Sequence, residues 1–161
     1  MAVRPAPASP VNPPSRTGAI RFLSARETHP IRLEVLRPGF PPESAVFDGD
    51  SDPSTLHLGA FLEGQLVGVA SLFQAPFPGD PPEPAFQLRG MATHPKYRGR
   101  GCGRLLVEAC CSAALNRSIQ TLWCNARESA LGFYSKLGWE IIGDRFEIPT
   151  VGPHFQMLRR L

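Results

Sequence analysis

The sequence predicts one α/β (α+β) domain, a single mixed sheet with helices on its faces. Three observations carry this. The chain has 161 residues, within the span of about 100–200 that one domain occupies. Hydrophobic residues make up 42% and charged residues 19%, a balance foreign to disordered chains. Short apolar runs alternate with amphipathic segments, the pattern of a sheet covered by helices. No run approaches the ~18 apolar residues of a spanning helix: the best stretch, residues 56–73, is broken by His57, Glu63, Gly64 and Gln65. Membrane insertion is not expected.

Residues 1–18 contain five prolines and no apolar signal-peptide core. They read as a polyproline-like disordered tail before a domain over residues 19–161, and the expected compartment is the cytosol. The four cysteines, Cys102, Cys110, Cys111 and Cys124, form no CxxC pair. They suit reduced, buried thiols, and no metal site is expected.

Residues 19–23 suit a first strand. Ser24 and Glu27 match a capping box, but Pro30 places the firm helix from there to about residue 36, and Pro38-Gly39 ends it. A Pro/Gly/Asp loop follows over residues 38–53. Apolar runs at 55–62 and 66–73, separated by Glu63-Gly64-Gln65, signal a hairpin. Beyond a second proline loop at 76–84, residues 86–93 read as a strand. A helix is predicted over 103–116, with Leu106, Cys110 and Ala113 on one face, and a short strand over 121–124. A helix over 127–137 places Ala130, Phe133, Tyr134 and Leu137 on one stripe, with Gly138 as C-cap. Residues 139–148 and 155–158 form a final antiparallel pair.

Charge is segregated. Residues 38–88 hold no Lys or Arg but seven acids, Glu43, Asp48, Asp50, Asp52, Glu63, Asp80 and Glu83. Residues 89–104 hold Arg89, Lys96, Arg98, Arg100 and Arg104 and no acid. These are either two solvated stretches or two surfaces, one for an anionic and one for a cationic ligand.

Arg98-Gly99-Arg100-Gly101-Cys102-Gly103 lies between a strand and a helix. Glycines permit positive φ and close ligand approach, so successive amides can face inward. The helix start adds free N–H donors and a positive dipole end, which together make an anion site. The spacing fits neither a P-loop nor a dinucleotide fingerprint; a ligand-free glycine connector is the alternative.

The same residues resemble the Q/R-x-x-G-x-G/A signature of the GNAT superfamily of acyl-CoA-dependent N-acetyltransferases. Asn125-Ala-Arg-Glu-Ser-Ala130-Leu-Gly-Phe133-Tyr134-Ser-Lys-Leu-Gly138-Trp139 is similar to that family's second motif, in the matching order and spacing. The resemblance implies a twisted, mostly antiparallel sheet whose fourth and fifth strands splay to admit the cofactor. It also implies acetyl-CoA as co-substrate. Arg98, Gly99, Arg100, Gly101, Cys102 and Gly103 would hold its pyrophosphate. Met91, Ala92 and Thr93 would bond its pantetheine arm through their backbone, and Asn125 would contact that arm; Asn125 also suits a helix N-cap. Tyr134 would be the acid that protonates the leaving thiolate, although its stripe also suits a packed core tyrosine.

The acid-rich stretch, which includes a loop that commonly lines the acceptor side in this family, suggests a small cationic amine or a peptide amine as acceptor. Family members that acetylate histones use a Glu where this chain has Gln87, which cannot act as a base. His154 is the first candidate, on the outward face of the last strand, ahead of His57, Glu83 or a water chain. A non-catalytic acyl-CoA-binding or regulatory domain is the alternative function. Nucleic-acid binding is disfavoured, because the basic stretch is short and carries only Tyr97 as an interleaved aromatic. A homodimer is left open. Asp48, Asp50 and Asp52 begin like a calcium loop, but Pro53 stands where Gly is needed and Gly59 where Glu is needed. Cys102, at a helix start among arginines, would have a lowered thiol pKa, although packing is its better role.

Overall fold

The computed structural model describes residues 18–79 and 81–161. Apart from Gly18, the tail expected over residues 1–18 lies outside the described residues. The strands are β1 (Ala19–Leu23), β2 (Leu56–Leu62), β3 (Gln65–Gln74), β4 (Phe86–Thr93), β5 (Thr121–Arg127), β6 (Glu140–Ile148) and β7 (Gly152–Arg160). The helices are α1 (Ala25–Ile31), α2 (Cys102–Leu115) and α3 (Leu131–Lys136). The seven strands form one sheet in the order β1-β2-β3-β4-β5-β7-β6. Every neighbouring pair is antiparallel except β4 and β5, which run parallel.

The β2–β3 hairpin turns on Glu63 and Gly64, with φ of 50° and 79°. That pair of positive φ values matches the right-handed twist of the flanking strands. Helix α2 covers one face of the sheet, burying Leu106, Val107 and Cys110 against Leu58, Val67, Leu72 and Leu88. Helix α1 lies on the other, where Ile31 packs with Val69 and Ala92.

Three element predictions are corrected. The capping box at Ser24 and Glu27 is formed, so α1 starts before Pro30 and carries it inside the helix. Proline removes one backbone donor and crowds the preceding turn; beyond Ile31 the helix widens into a π turn over Arg32–Leu36. There the Arg37 amide donates to the carbonyls of Arg32 and Leu33, each at 3.2 Å. Strand β5 runs on to Arg127, where a helix was expected to begin, and a 3₁₀ turn at Glu128–Ala130 separates it from α3. The last strand starts earlier than expected, at Gly152, and inserts between β5 and β6, where antiparallel pairing on both sides satisfies the backbone groups along both its edges.

Two features of β4 shape the site. Only Phe86 and Gln87 pair with β5, opposite Leu122 and Trp123; beyond them the strands separate, as the splay expectation required. A bulge against β3 falls where Gly90 adopts a φ of 63°. A Cβ there would stand 3.0 Å from the Phe47 ring and 3.1 Å from Arg32 Nε, so glycine is needed on both counts.

Candidate active site

A cleft of about 330 Å³ opens where β4 and β5 part. Gln87, Arg89 and Met91 come from β4, and Cys124, Asn125 and Arg127 from β5. Leu36 and Arg37 close it from the π turn, Tyr134 from α3, and Ile148, Val151 and His154 from the β6–β7 hairpin. Chain segments far apart in sequence thus converge on a gap that backbone pairing leaves open.

Tyr134 sits 6% exposed at the cleft wall. Its ring makes edge contacts with Phe133 at 5.1 Å and Trp139 at 5.2 Å, so it is both packed and cleft-lining. Phe133, expected on the same buried stripe, is one-third exposed. The chain leaves α3 through Gly138 at φ 85°, with the Trp139 amide donating to the Tyr134 carbonyl; this helix end fixes the Tyr134–Trp139 contact. Burial raises the phenol well above its ordinary 10.0, and the Cys124 and Cys110 thiols push it the same way. Among the described residues its hydroxyl has no hydrogen-bond partner.

His154 is corrected from an outward-facing residue to a buried one, 4% exposed. Strand β7 is covered on both faces, so alternation along it does not separate core from surface. The ring Nδ1 lies 2.8 Å from the Gly152 carbonyl oxygen. A carbonyl only accepts, so Nδ1 carries a proton, and in the neutral ring Nε2 is the nitrogen with the free lone pair.

The N-cap reading of Asn125 is overturned. The residue lies inside β5 opposite Gln156, exposed and facing the cleft. Met91 also lines the cleft, Thr93 ends β4 half-buried, and the Ala92 side chain is turned away into the α1 cluster. In the glycine loop, Arg98, Gly99, Arg100 and Gly101 are exposed, with Gly99 and Gly101 left-handed at φ 78° and 81°. The first helical bond of α2 runs from the Leu105 amide to the Gly101 carbonyl, so the amides of Cys102, Gly103 and Arg104 precede it. A Cβ on Gly103 would meet the Phe133 ring at 3.2 Å and Met91 at 3.4 Å. The loop therefore adjoins the cleft. The Cys102 thiol is buried, and burial raises its pKa against the opposing pull of Arg100. The lowered value expected from its neighbours is wrong because desolvation outweighs an exposed arginine.

The acidic stretch does not form one surface. Asp50 is buried and pairs with Arg32. Asp52 accepts from the Ser54 amide and hydroxyl. Glu83 binds Thr121 and Arg160 at the far end of the sheet. His57 is buried between Ser71 and the Asp50 carbonyl. Glu83 and His57 are thereby removed as bases lining the cleft; of the ionisable candidates, His154 stands there.

Sequence reasoning missed Arg37 and Arg127. Each donates to the same carbonyl oxygen, that of Leu36, at 3.1 and 3.3 Å. Arg127 shares its strand face with Asn125 two residues earlier, which is the one signal that pointed to it.

Comparison with known proteins places the chain in a family. A profile of the acetyltransferase (GNAT) family matches residues 20–139. The chain belongs to the GNAT family. It is an acyltransferase. This GNAT chain is 34% identical over 142 residues to the uncharacterized N-acetyltransferase YitI of Bacillus subtilis, covering 88% of this chain and 95% of that one. Its fold is similar to a crystal structure described as an N-acetyltransferase from Lactobacillus plantarum, with a TM-score of 0.74 at 18% identity, covering 89% of this chain and 98% of the other. It is also similar to an aminoglycoside 6'-N-acetyltransferase complexed with coenzyme A, with a TM-score of 0.69 at 15% identity, covering 88% and 96% of the two chains.

Proposed function

We propose that this GNAT protein transfers an acetyl group from acetyl-CoA to a primary amine. The observation that carries the reading is the parting of β4 from β5 after Gln87, with Tyr134 and His154 lining the gap. The left-handed glycines and free first-turn amides of α2 fit a pyrophosphate. The β5-facing edge of β4 through Met91, Ala92 and Thr93 lacks a strand partner and suits an extended amide arm, with Asn125 across the gap.

Acetyl-CoA supplies the thioester carbonyl that the amine attacks, and coenzyme A leaves as a thiolate. Tyr134 keeps its proton at neutral pH and donates it to the sulfur. His154 takes the amine's proton through Nε2 while Nδ1 holds the ring against Gly152. Gln87 lies in the same cleft but its amide cannot take that proton.

Incubating the protein with acetyl-CoA and a panel of amines, while following free thiol, tests the reading. Amine-dependent thiol release is expected; binding of acetyl-CoA with no release for any amine would favour a non-catalytic acyl-CoA-binding domain.

A further inference from the structure

The cleft is basic. Arg37, Arg89 and Arg127 line it, and among the described residues no aspartate or glutamate does. Among the described residues none of the three makes a salt bridge. Asp48 and Asp50 act on Arg89 through their charge, but Asp50 is already bound at two points by Arg32. Arg89 instead lies over the rings of Phe47 and Phe73, each at 5.0 Å.

The Leu36 carbonyl brings Arg37 and Arg127 together. One neutral oxygen thus gathers two like charges, and each guanidinium retains other donors in its planar fork. Both arginines also line an adjoining cavity of about 420 Å³, which shares Leu36, Ile148 and Val151 with the cleft. Burial lowers the pKa of Arg127, and the charge of Arg37 lowers it further. Burial likewise lowers that of Arg89, as does the charge of Arg32. An anion between the guanidiniums would relieve the repulsion, and the planar fork matches a carboxylate. A purely cationic amine would meet like charge here, so this lining favours a different acceptor from the one the acid-rich stretch suggested.

We propose that the acceptor is a small amine that carries a carboxylate, held by Arg37 and Arg127 while its amine reaches the gap between β4 and β5. This rests on the acetyl-transfer reading above and names its substrate class.

The test compares amino acids with their amides by thiol release at saturating acetyl-CoA. The amino acids should exceed the amides in kcat/KM by at least about 10-fold, the worth of a charge-assisted hydrogen bond. Arg37→Met and Arg127→Met should each shrink that ratio toward one, chiefly through KM. Equal rates for acid and amide, or faster reaction of cationic amines, would overturn the proposal. An aminophosphonate preferred over its carboxylate counterpart would also overturn it, in favour of a phosphate-bearing acceptor. If no amine releases thiol, the acetyl-transfer reading fails, and calorimetry with the same pairs decides the anion site separately. Saturable binding of the amino acid, lost in Arg127→Met, supports the site; equal binding of acid and amide, or none, rejects it.

Discussion

The Arg32 guanidinium and the Asp50 carboxylate meet at two points, Nη1 to Oδ2 at 2.7 Å and Nη2 to Oδ1 at 3.0 Å, both side chains buried. Arg32 also donates to Ser71 Oγ and stacks over Phe47, whose ring lines the cleft. Removing one partner would leave a buried charge alone. Asp50→Asn should therefore lower stability by about 3–5 kcal/mol, measured by urea denaturation. Burial pushes the Asp50 carboxyl up, but the Arg32 bonds, the Phe47 amide and the Arg32 charge outweigh it and hold it below its ordinary 3.8. A depressed carboxyl stabilises the fold fully above its unfolded value. That contribution disappears as pH falls through the folded value, so acid unfolding of the wild type should deepen below about pH 4, a limb that Asp50→Asn lacks.

Gly101 is held at φ 81° with open space around its Cα, whereas Gly103 faces Phe133 and Met91. The two glycines should fail for different reasons. Gly101→Val strains the backbone that aims the α2 amides, and Gly103→Val presses on Phe133 beside the cleft. Both should abolish coenzyme A binding in calorimetry, while Arg98→Ala, at an exposed side chain, should only weaken it. Unchanged affinity in Gly103→Val would remove the loop from the binding site.

Tyr134→Phe deletes a hydroxyl that has no hydrogen-bond partner among the described residues, and the ring contacts with Phe133 and Trp139 survive. Stability and acetyl-CoA affinity should therefore stay near wild type while kcat falls about 10²-fold or more. Turnover equal to wild type would reduce this residue to packing.

His154→Gln removes the lone-pair nitrogen of the ring that Gly152 orients. Turnover at neutral pH should fall about 10²-fold or more. The loss should shrink as pH rises, because the acceptor amine then arrives already deprotonated. A parallel pH–rate profile for variant and wild type would exclude His154 as the base.

All four cysteines are free and buried. Burial pushes the Cys124 thiol up to about 12 and raises those of Cys102, Cys110 and Cys111 as well. The folded protein should react with a thiol reagent far more slowly than the unfolded chain, which exposes all four thiols. Fast labelling of a native thiol would contradict this burial and also confound thiol-release assays.

The local signals in the sequence determined much of this protein. Ser24 with Glu27, Glu63 with Gly64, and Gly138 each specify their own turn or cap, because the hydrogen bonds concerned span only a few residues. The glycine loop from Arg98 to Gly103 and the Asn125–Trp139 segment were legible for the same reason, and their spacing carried the family resemblance. Tertiary structure alone decided what depends on partners distant in the chain. It turned Asp50 inward onto Arg32, eighteen residues away, because a buried guanidinium requires a counter-charge. It slid β7 between β5 and β6, which buried His154 on a strand whose alternation had suggested exposure. It gathered Arg37, Arg89 and Arg127 around a gap that exists only because β4 and β5 stop pairing after Gln87. No local pattern encodes that convergence, since charge in a cleft is set by which segments the sheet brings together.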